Sequence, residues 1–261
     1  MTTPAATFEV HDGVGVLTLR RADARNAVTA DLSLAAGEAL GRADADPAVR
    51  AVVVTGDGPA FCAGADLKAL AAGRAITAPG HPEWGFAGIV EHTVSVPVIA
   101  AVNGHAMGGG AEIVLACDLA VMADDALIGL PEVKRGLFAA AGGTIRLPRQ
   151  VPPKIALQLG LTGEPLAAAD ALRWGLVNEI VPAADVVHRA IALARSIAAN
   201  APLAVAVTKS MMQAATAAGS SWDIELWQRQ DREIAALLTS HDVHEGTTAF
   251  AEKRPPVWTG S

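Results

Sequence analysis

The chain has 261 residues, 51% of them hydrophobic, and a formal net charge of −7 with no run of lysine or arginine. A chain of this length and composition can build one large domain, or a domain with a smaller appendage, around a core that needs neither disulfide nor metal. The acidic balance argues against nucleic acid as the main partner.

The N-terminus, "MTTPAATFEV", has no basic region followed by an apolar stretch, and no window approaches 18 uninterrupted apolar residues. A soluble cytoplasmic protein without leader or membrane span is expected. Next, "ATFEVHDGVGVLTLR" reads as two strands joined near Asp12-Gly13. "TADLSLAAGEALGRADAD" is an amphipathic helix with Thr29 as its N-cap. "VRAVVVTGDG", "VPVIAAVNG" and "CDLAVMAD" are short apolar runs that fit buried strands. Strands separated by helices predict an α/β fold with right-handed parallel crossovers. The segment from Ala72 to Glu83, rich in proline and glycine, is the most loop-like.

From about Leu166 onward most segments read as helices. Trp227, Ile234 and Leu238 form one helical stripe, facing either the core, the favoured destination, or a partner chain. The two cysteines, Cys62 and Cys117, fit a reducing compartment and lack metal-ligand spacing. Cys62 reads most simply as a small core thiol.

Two stretches bear chemistry. In "HAMGGGAEIVLACD" (His105 to Asp118) three glycines lead from a strand into an apolar helix that carries Glu112. A helix N-terminus has unpaired N–H groups and a partial positive charge, and glycines expose that backbone. The stretch is either a place for a polarised oxygen or only a tight strand-to-helix turn. "GDGPAFCAGADLKAL" (Gly56 to Leu70) has the same character, with Asp66 at the helix start. The N–H groups of Ala65 and Gly109, aimed at one oxygen, would make an oxyanion hole. Glu112 is either a dipole-stabilising acid or a catalytic one. Glu132, in "ALIGLPEVKRGL", is either a surface glutamate paired with Lys134 or Arg135, or its partner in acid–base chemistry. His105 reads as a packing or supporting residue rather than a base. No G-x-S-x-G, phosphate-loop or H-E-x-x-H motif is present.

"AFCAGADLKAL", "AAVNGHAMGGGAEIVLACDLAVMADDALIGLPEVKRGL", "AGGTIRLPR", "GLTGEPLAAADALRWGLVNEIV" and "EGTTAFAEKRPPVW" together resemble the enoyl-CoA hydratase/isomerase family, the crotonases, over nearly the whole chain. The resemblance implies a crotonase-like spiral of β-β-α turns over residues 1–200. It also implies a C-terminal helical trimerisation region over 201–261, with trimers that often pair into hexamers. It makes Ala65 and Gly109 the oxyanion donors and Glu112 and Glu132 the hydratase acids. Glu112 would activate water and Glu132 protonate the α-carbon. Ala24 and Asn26, within the segment 23–26, join Ala63, Asp66 and Leu67 where the family contacts CoA. Phe250 and Lys253 match positions that reach CoA, often from a neighbouring subunit. One departure stands out. Where the common hydratase pattern has a proline and a glycine, this chain reads Phe138-Ala139-Ala140. The Ala140 N–H takes the place of the family's water-holding glycine.

The expected activity is hydration of a trans-2-enoyl-CoA, with CoA as part of the substrate and no metal or redox cofactor. The alternatives are a Δ3-Δ2-enoyl-CoA isomerase, or a non-catalytic acyl-CoA- or RNA-binding relative. The acid pair weighs against both, and the acidic balance against the second. Trp84, Phe86 and Ile89 either line the acyl tunnel or belong to the core.

Overall fold

Strands β1 (Ala6–His11) and β2 (Val14–Leu19) pair antiparallel, with Ala6 opposite Leu19 and His11 opposite Val14. Asp12 and Gly13 form the turn between them. Both have positive φ, 51° and 78°, as a two-residue turn matched to strand twist requires. The computed structural model describes residues 4–261; Met1 to Thr3, where the leader reading began, lie outside the described residues.

Helix α1 (Ala30–Ala45) starts where the Thr29 hydroxyl accepts the Leu32 N–H, and it buries Leu32, Ala36, Leu40 and Ala43 along one face. A three-part unit then repeats. Strands β3 (Ala51–Gly56) and β4 (Ala60–Cys62) lead into α2 (Leu67–Ala71). Strands β5 (Val98–Val102) and β6 (His105–Met107) lead into α3 (Gly109–Ala116). Strands β7 (Leu119–Ala123) and β8 (Leu127–Gly129) lead into α4 (Gly143–Gln150) and α5 (Pro153–Thr162). The series closes with β9 (Leu166–Ala167), α6 (Ala168–Arg173), β10 (Glu179–Val181) and α7 (Val186–Ala198).

The long strands enter a six-stranded sheet, ordered β1-β2-β3-β5-β7-β10 and parallel from β2 onward. The short ones enter a four-stranded sheet, β4-β6-β8-β9. This is a spiral of β-β-α turns. Burial on both faces explains why β3 and β5 are apolar at almost every position. Pairing of β4 with β6, Ala60 opposite His105 and Cys62 opposite Ala106, sets the two glycine-rich turns side by side.

Helices α8 (Pro202–Ala217) and α9 (Ile224–Leu237) bury no residue, and α10 (His241–Glu252) buries two, Asp242 and Ala249. The α9 stripe therefore does not face the core, contrary to the favoured expectation. Trp227 and Ile234 are about half exposed and Leu238 is 64% exposed. A helix long enough to span three turns can be amphipathic toward another chain as readily as toward its own. The tail returns to the core instead. Arg50, just before β3, donates to the carbonyls of Ala198 and Trp258, and the Trp258 indole N–H donates to Ala199.

Candidate active site

The three consecutive glycines have three different neighbours. Gly108 has φ 56° and ψ −124°, and a Cβ there would lie 3.0 Å from Oε1 of Glu132. A Cβ on Gly109 would come within 2.4 Å of the Phe86 ring, and one on Gly110 within 2.1 Å of the Cys62 carbonyl. Only the first keeps space open beside an acid. The other two let a ring and a neighbouring strand pack against the helix mouth.

The neighbouring turn closes on the same point. Gly64, at φ 86°, lies so near α3 that a Cβ would be 2.9 Å from the Gly109 nitrogen. Among the described residues neither the Ala65 N–H nor the Gly109 N–H has a hydrogen-bond acceptor. Two unpaired donors side by side at a helix start are suited to one shared oxygen.

Glu112, in the first turn of α3, is only 3% exposed. Its Oε1 accepts the Gly143 N–H at 2.8 Å. Burial pushes its carboxyl up to about 7, the Gly143 bond opposes the rise, and the charge of Glu132 adds to it. Glu132 lies in the 3₁₀ turn Pro131–Arg135, and burial raises its carboxyl too. Its Oε2 is buried without a hydrogen-bond partner among the described residues. The surface-pair alternative falls away, since Lys134 binds Glu164 at 2.6 Å and Arg135 donates to the Lys134 carbonyl. The Ala140 N–H also lacks an acceptor among the described residues, in the turn that precedes Gly143.

Burial of Glu112 predicts a stability effect with a definite sign. Its folded pKa is raised, so the contribution of its bound proton is complete below about 4.5 and lost as pH rises through about 7. A rise of that size corresponds to about 3 kcal/mol. Glutamine keeps the acceptor for Gly143 and cannot ionise. Glu112→Gln should therefore match the wild type in denaturant unfolding at pH 4 and exceed it by about 3 kcal/mol at pH 8.

Other expected site residues separate. Asn26 is fully buried, and its amide donates to the carbonyls of Asp57, Ala60 and Phe61 while its Oδ1 accepts the Arg21 N–H. Its side chain shapes the loop. Asp66 caps α2 through the Lys68 and Ala69 N–H groups and pairs with Arg21. Ala63 and Leu67 are exposed on either side of Ala65, and Ala24 is half-buried. Phe250 is 86% exposed, and Lys253 ends α10 in a left-handed conformation at φ 55°. His105 is structural, its Nδ1 accepting the Leu127 N–H. Cys62 is the buried core thiol expected.

Of the three candidate tunnel residues only Phe86 meets the helix mouth. Trp84 is stacked between His81 and His92 and fills the notch at Gly37 of α1. Ile89 lines a cleft of about 720 Å³ between the 89–98 segment, Arg146 to Gln150 and α8. Neither acid lines that cleft, so it is not the acid-bearing site.

The sequence model of the family described as enoyl-CoA hydratase/isomerase matches residues 9–261. The chain belongs to this family. Among curated relatives, the carnitinyl-CoA dehydratase of Salmonella typhi is 43% identical over 251 residues, 94% of each chain. A crystal structure of an enoyl-CoA hydratase from Mycobacterium tuberculosis H37Rv superposes with a TM-score of 0.93 at 40% identity, covering 99% of this chain and 100% of that one. The carnitinyl-CoA hydratase of Mycobacterium avium is 52% identical with a TM-score of 0.80, both chains being covered completely. The spiral described above is thus the crotonase fold.

Proposed function

We propose that the protein is an enoyl-CoA hydro-lyase, adding water across the double bond of a trans-2-enoyl-CoA to give a 3-hydroxyacyl-CoA, and removing it in reverse. The observation that carries this reading is a buried acid, Glu112, and a half-buried one, Glu132, with a buried unpartnered oxygen, beside two unpaired N–H groups. The thioester oxygen accepts from Ala65 and Gly109. As the water oxygen bonds to the β-carbon, the π electrons move toward the carbonyl, and the enolate that forms is held by those donors. Glu112 removes the water proton and Glu132 delivers one to the α-carbon. The Ala140 N–H helps hold the water. The reaction needs no metal or redox cofactor.

Hydration needs a shared proton on Glu132 and a free carboxylate on Glu112. Dehydration reverses the roles: Glu132 takes the α-proton and Glu112 protonates the departing hydroxyl. The two carboxyls hold one proton between them and titrate as a unit. That proton is lost as pH rises through about 7. Since both directions use the one-proton pair, kcat/KM for hydration and for dehydration should fall together above that pH. Parallel pH–rate profiles on crotonyl-CoA and 3-hydroxybutyryl-CoA test this. A panel adding crotonobetainyl-CoA, long-chain and ring-bearing substrates identifies the acyl group.

CoA lies across Ala24, Ala63, Asp66 and Leu67 at the mouth of the site, over a loop that Asn26 shapes from within. Phe250 and Lys253 add to it from a neighbouring subunit of a homotrimer or hexamer. The segment after α10 is anchored beside Arg50 at the start of β3, and Phe250 is left exposed, as a residue that reaches another subunit must be. The exposed α9 stripe supports such an assembly. Sedimentation at micromolar concentration should find a trimer or hexamer; a fully active monomer would remove Phe250 and Lys253 from the site. No single helix among the described residues is long and apolar enough to cross a membrane, which suits the proposed cytoplasmic location.

A further inference from the structure

Ala65 is paired with Val28 in an isolated parallel bridge. The Val28 N–H donates to Gly64 at 2.8 Å, and the Asp66 N–H donates to Val28 at 3.0 Å. Bonds on either side of Ala65 leave its own N–H facing away from Val28, on the side where Gly64 approaches Gly109. The direction of this donor therefore depends on how firmly the bridge is held.

Arg21 reaches both halves of that bridge. One nitrogen of its guanidinium donates to the carbonyl of Ala27, the residue before Val28. Another donates to Oδ2 of Asp66, the residue after Ala65, at 3.0 Å. The other oxygen of Asp66 accepts the Lys68 and Ala69 N–H groups and so starts α2. The base of Arg21 is fixed as well, its N–H donating to Asn26 Oδ1 and its carbonyl accepting the Asn26 N–H, both at 2.9 Å. The side chains are largely withdrawn from solvent, 27% exposed for Arg21 and 14% for Asp66. A charge-assisted pair in that setting is stronger and better directed than a surface one. The fork of the guanidinium is what allows two acceptors on different segments; an ammonium is a single point of charge.

We propose that Arg21 is a positioning residue for the oxyanion hole, stapling Ala27 to Asp66 so that the Ala65 N–H stays aimed at the thioester oxygen. The proposal rests on the oxyanion role assigned above to Ala65. It predicts a loss of carbonyl polarisation rather than a loss of binding. An enoyl-CoA with a conjugated aromatic donor absorbs further to the red when its thioester carbonyl is polarised, so the bound spectrum reports the donors directly.

The test uses the full chain as the wild type, Arg21→Met and Arg21→Lys. Each is measured for kcat, for KM and for the red shift of the bound chromophore. The wild type should show the shift. Arg21→Met should lose at least half of it, with kcat down roughly 10- to 100-fold, below the full loss of one oxyanion donor, and KM within a few-fold. Arg21→Lys, which keeps the charge but serves one acceptor, should fall between. If Arg21→Met does not fold, the lysine variant is read by the same criteria. A folded variant with full red shift overturns the proposal, whether or not its kcat falls, because any effect would then run through something other than the donor. A wild type that hydrates enoyl-CoA without a red shift removes the oxyanion role itself, and the Arg21 proposal with it.

Discussion

Replacing either acid, Glu112→Gln or Glu132→Gln, lowers turnover of crotonyl-CoA by roughly 10²-fold or more, the usual contribution of a general acid or base. Acyl-CoA affinity changes little, because neither carboxyl is needed to hold CoA. A stability measurement separates this loss from unfolding. Both carboxyls are raised by burial, so the neutral amide removes a buried charge and the variants are at least as stable as the wild type at neutral pH. The amide introduced by Glu112→Gln retains an acceptor for the Gly143 N–H, so the turn before α4 keeps its anchor. Activity down with stability up is a combination that damage to the fold does not produce. Wild-type turnover in either variant would remove that residue from the chemistry.

The second large effect is at Gly109. The residue lies at the start of α3 without a positive φ, so alanine is conformationally acceptable there. What it lacks is room. Its Cβ would come within 2.4 Å of Phe86, which is buried over the helix mouth. Either the ring or the first turn must move, and overpacking of this kind costs about 1–3 kcal/mol. The moved turn carries the Gly109 N–H. Gly109→Ala should therefore lower turnover by roughly 10²-fold, the scale for one misplaced oxyanion donor. A double-mutant cycle locates the cause. In a Phe86→Ala background the added Cβ has space, and Gly109→Ala should cost little further stability and regain part of the turnover. Equal costs in both backgrounds would mean that the ring is not what Gly109 accommodates.

Much of the core was legible because its signals are local. Asp12-Gly13 specifies its turn, Thr29 caps α1, and the apolar runs of β3, β5 and β7 have no solvent-facing alternation. The second sheet was not legible. Strands of two or three residues such as β4, β6 and β9 have no period to read, and only pairing with their neighbours defines them. Helix α4 hides behind Gly142, Gly143 and an internal Pro148, and α10 behind threonine, histidine and glycine. The α9 stripe was legible as a stripe, but periodicity does not say whose surface it meets.

The site divides in the same way. Glu112 and Glu132 were singled out as residue types in context, and the resemblance joined them. Their burial, the orphaned Glu132 oxygen and the Gly143 anchor are tertiary facts that no local pattern encodes. Asn26 illustrates the converse. A polar residue in a substrate-contacting segment invites a binding role, yet its amide is occupied by three carbonyls of its own chain. Phe86 and Trp84 are two residues apart with similar chemistry, and only the glycines they cover, Gly109 and Gly37, tell them apart.

This acid pair should add water at the β-carbon while Ala65 and Gly109 hold the thioester oxygen. Isotope incorporation tests it most directly. Crotonyl-CoA is incubated with the wild-type protein in oxygen-18 water made up in D₂O, and the product is examined by mass spectrometry. The expected product is 3-hydroxybutyryl-CoA with one oxygen-18 at the β-carbon and one deuterium at the α-carbon, formed at a rate that either glutamine variant lowers by roughly 10²-fold. Deuterium exchange and double-bond migration without oxygen-18 in the product would contradict it and identify an isomerase instead.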